Sequence, residues 1–299
     1  MWQPQPGWHA LPGGGGPSTL GAWRAVVGEQ AVVVKRLAAP QPGDPGELSD
    51  PQHFAYWRRE ADVLSAGLVE ETPGLRSGGP AAVDEDDEGI TLIQPWVEDA
   101  ANSGLAIARC LGRFAAADVD APWLARHQLR DRLARVERNG AWRTLARTTL
   151  ADIADRLWSR RNGLLDRLDE LPQAAHHGDA TPANLRGREG DELVAIDWGS
   201  LGRASVGSDL GYFALSAREE MTPLAEAHLL GLPPGLATRS EVELGARVTA
   251  VYTAFNRAEW ALARAATGEG ALAAKFRHPS VAPYLRSLQR LVPEIEALL

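Results

Sequence analysis

Apolar and polar positions divide the chain into two stretches with different periods. In the first hundred residues the apolar runs are short, rich in β-branched side chains and separated by turn residues. Gly7 to Leu11 predicts a short strand, followed by the breaker-rich Pro12-Gly13-Gly14-Gly15-Gly16-Pro17. Leu20 to Val27 and Gln30 to Leu37 predict two strands joined by a tight hairpin at Gly28-Glu29. A loop from Ala38 to Ser49 leads to Asp50-Pro51, an N-cap followed by a first-turn proline, so a helix is expected from there to about Ala66. Two more strands end in Pro80-Ala81-Ala82-Val83 and Gly89-Ile90-Thr91-Leu92-Ile93, with the acidic run Asp84 to Glu88 as their hairpin tip.

After Glu98 the pattern turns helical. Ser103 to Ala117, Asp120 to Asn139 and Trp142 to Glu170 predict helices, the second closed by Gly140. A β-rich patch from Ala174 to Asp197 is broken by a turn at Gly187 to Asp191. Helices are expected again over Gly207 to Glu220, Ser240 to Thr267 and from about Pro279 to the end. The reading is an α+β fold of two lobes. Residues 1–97 form a small lobe of antiparallel sheet with one helix, and residues 98–299 form a larger, mainly helical lobe.

Composition narrows the function classes. A single cysteine, Cys110, excludes an internal disulfide framework and is expected to be a small core residue. No signal peptide is visible, and no apolar run nears the ~20 residues needed to span a bilayer, so the expected location is cytoplasmic, without a membrane partner. A net charge of −8 argues against a basic nucleic-acid-binding face. It says little about the substrate, because the run from Asp84 to Glu88 carries much of it and reads as a solvated turn. The chain has 29 Arg and only two Lys, which makes each lysine informative.

The chemistry concentrates in His177-Gly178-Asp179-Ala180-Thr181-Pro182-Ala183-Asn184, followed by Val194-Ala195-Ile196-Asp197-Trp198-Gly199. Phosphoryl transfer needs an aligned hydroxyl and metal ions that neutralise charge between the β- and γ-phosphates. A carboxylate followed five positions later by an Asn, on a loop leaving a strand, serves both needs: Asp179 toward the hydroxyl, Asn184 toward a Mg²⁺. Asp197, at the end of the next strand, adds the anionic oxygens a hard cation prefers.

This pattern resembles the aminoglycoside phosphotransferase family, which also includes choline-kinase-like and other small-molecule kinases on the protein-kinase fold. The resemblance implies that Asp179 is the catalytic aspartate and that Asn184 and Asp197 are metal ligands, with ATP or GTP as the co-substrate. Ala31-Val32-Val33-Val34-Lys35 is a strand ending in lysine, the pattern that carries the phosphate-binding lysine of kinases. In so Arg-rich a chain, keeping Lys35 points to a need for a compact ammonium. Glu60, in the middle of the expected helix, is the candidate partner of Lys35, with Glu70 and Glu71 as alternatives.

Gly15 and Gly16, with Ser18, are expected in the loop over the triphosphate, where glycine lets backbone amides approach phosphate oxygens. Gln94-Pro95-Trp96-Val97 stands where the family has its hinge, so Trp96 and Val97 would offer backbone groups to the purine, with Ile93 or Gln94 behind it. Asp209 is expected to hold the catalytic loop, and His177 to be a buried hydrogen-bonding residue that shapes it. A binuclear metal hydrolase is disfavoured, because no upstream Asp-x-His or downstream Gly-Asn-His is present.

Gly178 stands where regulated protein kinases carry an Arg, and the gap from Gly199 to Gly207 is too short for an activation loop. The acceptor is therefore expected to be a small hydroxylated molecule. Tyr252, Asn256 and Glu259 share one helical face and are candidates to meet it, with Tyr212, Phe213 and Trp260 as apolar walls. The competing class is a nucleotide-binding pseudokinase without turnover. The oligomeric state is left open.

Overall fold

The computed structural model describes residues 2–12, 18–266 and 281–299. In the small lobe, chain order runs β1 (His9–Ala10), β2 (Thr19–Val27), β3 (Gln30–Ala38), α1 (Arg59–Ser65), β4 (Leu75–Arg76), β5 (Ala82–Asp86) and β6 (Gly89–Pro95). Five of these strands form one antiparallel sheet in the order β1-β2-β3-β6-β5. The period of two sorts the side chains of β3. Val32 and Val34 pack with Ala25 on one face, against Trp8 and Ile93. Leu37 joins Ile90 and Leu92 in the core on the other. Lys35, in register with Ala22 and Leu92, is on this second face.

Two expectations for this lobe are corrected. The helix begins at Arg59, not at Asp50. Asp50 does cap, but it closes a turn: its Oδ1 accepts from the Gln52 N–H at 3.0 Å and its carbonyl from the His53 N–H at 3.2 Å. The carbonyls of Pro51, His53 and Phe54, which a helix would have used, accept instead from the Arg59 guanidinium. The acidic run is only partly a hairpin tip, since Asp84 to Asp86 are in β5 and the turn is Asp87-Glu88. Asp86 fastens that turn by accepting from the N–H groups of Glu88 and Gly89 and from Arg36.

The large lobe contains α2 (Gly104–Phe114), α3 (Gln128–Arg138), α4 (Ala151–Asp169), β7 (Gln173–His176), β8 (Gly187–Glu189), β9 (Glu192–Val194), β10 (Gly202–Ser205), α5 (Ser208–Ala214), α6 (Met221–Gly231), α7 (Arg239–Ala266), α8 (Ala282–Arg290) and α9 (Val292–Leu298). Ser103 caps α2 by accepting from the Ala106 N–H. Ile107, Cys110, Leu111 and Phe114 on one side of α2 are buried, the i, i+3, i+4, i+7 stripe of an amphipathic helix.

Helices α3 and α4 start later than their patterns predict, and only a 3-10 turn, Leu145–Arg147, forms between them. The helix expected to Glu220 stops at Ala214. Helix α6 has no counterpart among the expected elements, because its apolar residues follow no clean stripe. The expected start of the last helix, at Pro279, lies outside the described residues. That helix is divided at Leu291, two residues before Pro293.

Three short pairings organise the centre of the molecule. β7 pairs antiparallel with β10, β8 with β9, and β4 runs parallel to β9. The last pairing ties a strand from the first hundred residues into the large lobe, just below the connection between the lobes. Helix α5 crosses α7 so closely that a Cβ on Gly211 would lie 2.1 Å from the Ala246 carbonyl oxygen. No helix among the described residues is long and apolar enough to cross a membrane.

Candidate active site

β7 delivers the chain to the loop from His177 to Asn184, and Asp209 at the start of α5 fixes where that loop begins. Its carboxylate accepts from the backbone N–H of His177 at 2.7 Å and of Gly178 at 3.0 Å, and lies 2.9 Å from His176 Nδ1. Burial would raise the Asp209 pKa, but the charge and hydrogen bond of His176, together with the His177 amide, outweigh it and hold the carboxyl below its ordinary range. Gly178 has φ +83°, and a Cβ there would meet the Ser200 carbonyl oxygen at 2.3 Å, so only glycine fits. His177 is buried, with its ring 4.8 Å from that of Trp198. Its Nδ1 accepts from the Asp179 N–H, which leaves the proton on Nε2, facing the Ile196 carbonyl at 3.1 Å.

One turn then brings an amide back onto a carboxylate. The Thr181 N–H donates to the Asp179 carbonyl, and the N–H groups of Asn184 and Leu185 donate to the Thr181 carbonyl. The Asn184 side-chain Nδ2 donates to both the carbonyl and the Oδ2 of Asp179, each at 2.9 Å. The Asn184 carbonyl in turn accepts from Ile196 N–H, which fixes the start of the Asp197 turn. Asp197 itself has φ 63° and ψ 59°, a left-handed conformation unusual for a residue with a Cβ.

Lys35 reaches two carboxylates across the cleft. Its Nζ donates to Glu60 Oε2 at 2.5 Å and to Asp197 Oδ1 at 2.8 Å. Burial opposes the Lys35 charge, but these two carboxylates more than offset it and raise the pKa, so the ammonium persists. The Lys35 charge holds the Asp197 carboxyl below its usual range. Gln94 Nε2 donates to the other Glu60 oxygen at 3.3 Å. The neighbouring Arg59 makes a second tie across the lobes. Its fully buried guanidinium donates to five carbonyls, of Pro51, His53, Phe54, Trp123 and Gly199.

A cavity of about 450 Å³ opens between the lobes, and Lys35, Glu60, Asp179, Asn184, Asp197 and Ser18 all line it. The Ser18 hydroxyl oxygen is buried there without a hydrogen-bond partner among the described residues. Gly15 and Gly16 lie outside the described residues. Gln94 is tied to this group through Glu60, whereas Trp96 and Val97 are not among the lining residues. The Trp96 ring has the Arg24 guanidinium 4.5 Å and the Arg186 guanidinium 5.5 Å from its centroid. The side chain of Val97 covers Gly78 and Gly187.

The expectation for the α7 face is corrected. The Tyr252 hydroxyl donates to the Leu157 carbonyl, and Asn256 Oδ1 accepts from Trp142 Nε1, both at 2.7 Å. Glu259 accepts from the backbone N–H groups of Thr144 and Leu145. Asn256 and Glu259 hold the connection between α3 and α4, and Tyr252 is tied to α4 itself. Of the expected walls, Tyr212 lines the cavity beside Asp179, Phe213 is buried in the core, and Trp260 is exposed on the surface.

Several lining residues carried no sequence signal. Phe54, Tyr56 and Trp57 come from the turns that replace the expected helix start, and Arg132 projects from α3. Arg132 was one arginine among 29 in an apparently ordinary helix. The aromatic cluster at 54–57 was the one available hint, and a helix that buries an aromatic face explained it equally well.

A profile of the phosphotransferase enzyme family (APH) matches residues 22–238. No curated protein sequence matches. Among solved structures, the chain is similar to a choline/ethanolamine kinase family protein from Mesorhizobium loti, at 14% identity and a TM-score of 0.60, covering 97% of this chain and 92% of that one. It is also similar to the choline kinase LicA from Streptococcus pneumoniae, at 13% identity and a TM-score of 0.55, covering 95% and 94%. A thermostable variant of aminoglycoside phosphotransferase APH(4)-Ia, in a ternary complex with AMP-PNP and hygromycin B, gives 12% identity, a TM-score of 0.58 and coverages of 98% and 94%. At these identities the likeness describes a shared fold.

Proposed function

Since the chain belongs to the phosphotransferase enzyme family, we propose that it transfers the γ-phosphoryl group of ATP or GTP to a hydroxyl of a small molecule. The observation that carries this reading is the convergence of Lys35, Glu60, Asp179, Asn184 and Asp197 on one cavity from segments far apart in sequence. The nucleotide pool this reaction draws on puts it in the cytoplasm.

In this reading Lys35, oriented by Glu60, binds the α- and β-phosphates, and the unpartnered Ser18 hydroxyl donates to a phosphate oxygen. Gly15 and Gly16 belong to the same phosphate-covering loop. The purine lies against the connector at Gln94, Trp96 and Val97, held by its backbone groups. Asp179 accepts the proton of the acceptor hydroxyl as that oxygen bonds to the γ-phosphorus. The bond between the γ-phosphorus and the bridging oxygen breaks, and the nucleoside diphosphate leaves.

The donors available to a metal are the oxygens of Asn184 and Asp197, a set that suits a hard cation such as Mg²⁺. Because Asn184 Nδ2 is committed to Asp179, its Oδ1 remains as a ligand. In this reading the cation is held jointly by these two side chains and the phosphates. When bound, Mg²⁺ supplies charge neutralisation between the β- and γ-phosphates.

The test is Asp179→Asn. Acceptor-dependent turnover should fall by at least ~10²-fold while nucleotide affinity, measured by calorimetry, is retained. Undiminished turnover would remove Asp179 from its role. A wild-type protein that binds nucleotide but transfers phosphate to no hydroxyl compound would be a pseudokinase.

A further inference from the structure

The acceptor side of the cavity carries a charge of unexpected sign. Among the described residues, Glu60, Asp179 and Asp197 are the carboxylates that line the cavity, and beside Lys35, which is paired with two of them, its one cation is Arg132. Its guanidinium is 4.6 Å from the centroid of Phe54 and 5.8 Å from that of Tyr212, and its Nη2 donates to the Gly178 carbonyl at 3.3 Å, one residue before Asp179. A second guanidinium, that of Arg257 on α7, is 4.5 Å from the centroid of the same Tyr212 ring. Tyr212 is buried and feels both arginines and Asp179, so the two cations and the candidate base are grouped around one ring.

Among the described residues neither Arg132 nor Arg257 forms an ion pair with a carboxylate, whereas Arg130, Arg135 and Arg138 of the same helix α3 all do. Half-buried guanidinium groups are normally matched by carboxylate or phosphate oxygens, often in a two-pronged arrangement. Arg132 is braced by aromatic rings and left with donors to spare at the mouth of the site. Among the described residues an ammonium-bearing acceptor would find no carboxylate there beyond Asp179 and the two paired with Lys35, and it would be repelled by the guanidinium.

Building on the phosphotransferase reading, we infer that the acceptor is a small hydroxylated acid whose carboxylate or phosphate is bound by Arg132, with Arg257 adding to the positive field. Arg132 holds the anionic end of the acceptor while a hydroxyl on the same molecule reaches Asp179. The cavity, about 450 Å³, is toward the small end of the usual ~300–1,000 Å³ range of ligand sites. It must also take the terminal phosphates, which suits a short acceptor over a large polycyclic one.

The experiment uses matched three- to six-carbon polyols in four forms: neutral, carboxylate, phosphate monoester and primary amine. Binding to the full chain is measured by calorimetry in the presence of AMP-PNP and Mg²⁺, and turnover is measured with ATP and with GTP. The acid forms should bind and react at least ~10-fold better than the amines of equal length, and the comparison of carboxylates with phosphates identifies which anion is used. Arg132→Gln should raise the acceptor KM at least ~10-fold more than the nucleotide KM, and Arg132→Lys should recover part of the loss.

Preference for amines or neutral polyols, or no acid that binds, would overturn the inference. So would an Arg132→Gln variant that loses acceptor-dependent and acceptor-independent nucleotide consumption in equal measure, because the arginine would then serve the transferred phosphoryl group. Failure of the broader reading looks different: acids bind in an Arg132-dependent way but no phosphate moves. If Arg132→Gln does not fold, the wild-type series alone decides.

Discussion

Asp209 gathers the His177 amide, the Gly178 amide and the His176 ring onto one buried carboxylate, and through them it sets where Asp179 stands. Asp209→Asn should cost about 3 kcal/mol or more at neutral pH, the usual loss when one partner of a buried ionic group is removed. The sign of its pH dependence follows from the lowered pKa. The contribution is complete above the unfolded carboxyl value of ~3.9 and is lost as pH falls through the lower folded value. Urea melts of wild type and variant should therefore differ at pH 7 and converge in acid, as pH falls through the lowered carboxyl value. A gap that persists unchanged in acid would mean the carboxylate charge is not what matters.

At this scale the sequence was informative wherever residue type and spacing were both unusual: a lysine in an arginine-rich chain, and His-Gly-Asp with an Asn five positions beyond. Arg59 and Arg132 could not be read in the same way, because nothing local separates an arginine that gathers carbonyls, or one that faces a cavity, from an exposed one.

Elements obeyed their periods better than their ends. The strands around Lys35 follow from alternation and a Gly-Glu turn, while the helix expected from Asp50 failed because the guanidinium of Arg59, a few residues on, competed for its carbonyls. Helix α6 escaped notice because its apolar residues form no stripe. The Tyr252, Asn256 and Glu259 face shows the converse: the shared face was legible, but its partners, Leu157, Trp142 and the 144–145 amides, were not.

The crossing of α5 and α7 offers a test of position by packing. Gly211→Ala should destabilise by about 1–3 kcal/mol, the range for overpacking, and should lower turnover because α5 carries both Asp209 and Tyr212. Gly163→Ala, in α4 where an added Cβ meets nothing within 4 Å, should instead stabilise by about 0.4–1 kcal/mol. Thermal melts of the two variants check the contrast. Equal effects would mean the close approach to Ala246 is readily relaxed.

For the whole molecule, the two-lobed fold was legible from the change of period near residue 98. The tie of β4 to β9 was not, since two-residue strands carry no pattern. A ligand that bridges lobes stabilises the folded state by mass action. AMP-PNP with Mg²⁺ at a hundred times its dissociation constant should add about 2.7 kcal/mol, and chelation with EDTA should remove most of that gain. Full stabilisation by nucleotide in EDTA would separate nucleotide binding from the Asn184 and Asp197 oxygens.

The five-carbonyl grip of Arg59 bears on how such an enzyme is governed. Swinging α1 outward, the manoeuvre that parts lysine from glutamate in switchable kinases, would take Arg59 off the Trp123 and Gly199 carbonyls across the lobes, two acceptors in a water-poor seam at about 1–3 kcal/mol each. Amide dipoles also offer nothing for salt or a phosphorylated side chain to displace. These contacts oppose that movement, so Lys35 and Glu60 should stay paired with or without a bound ligand.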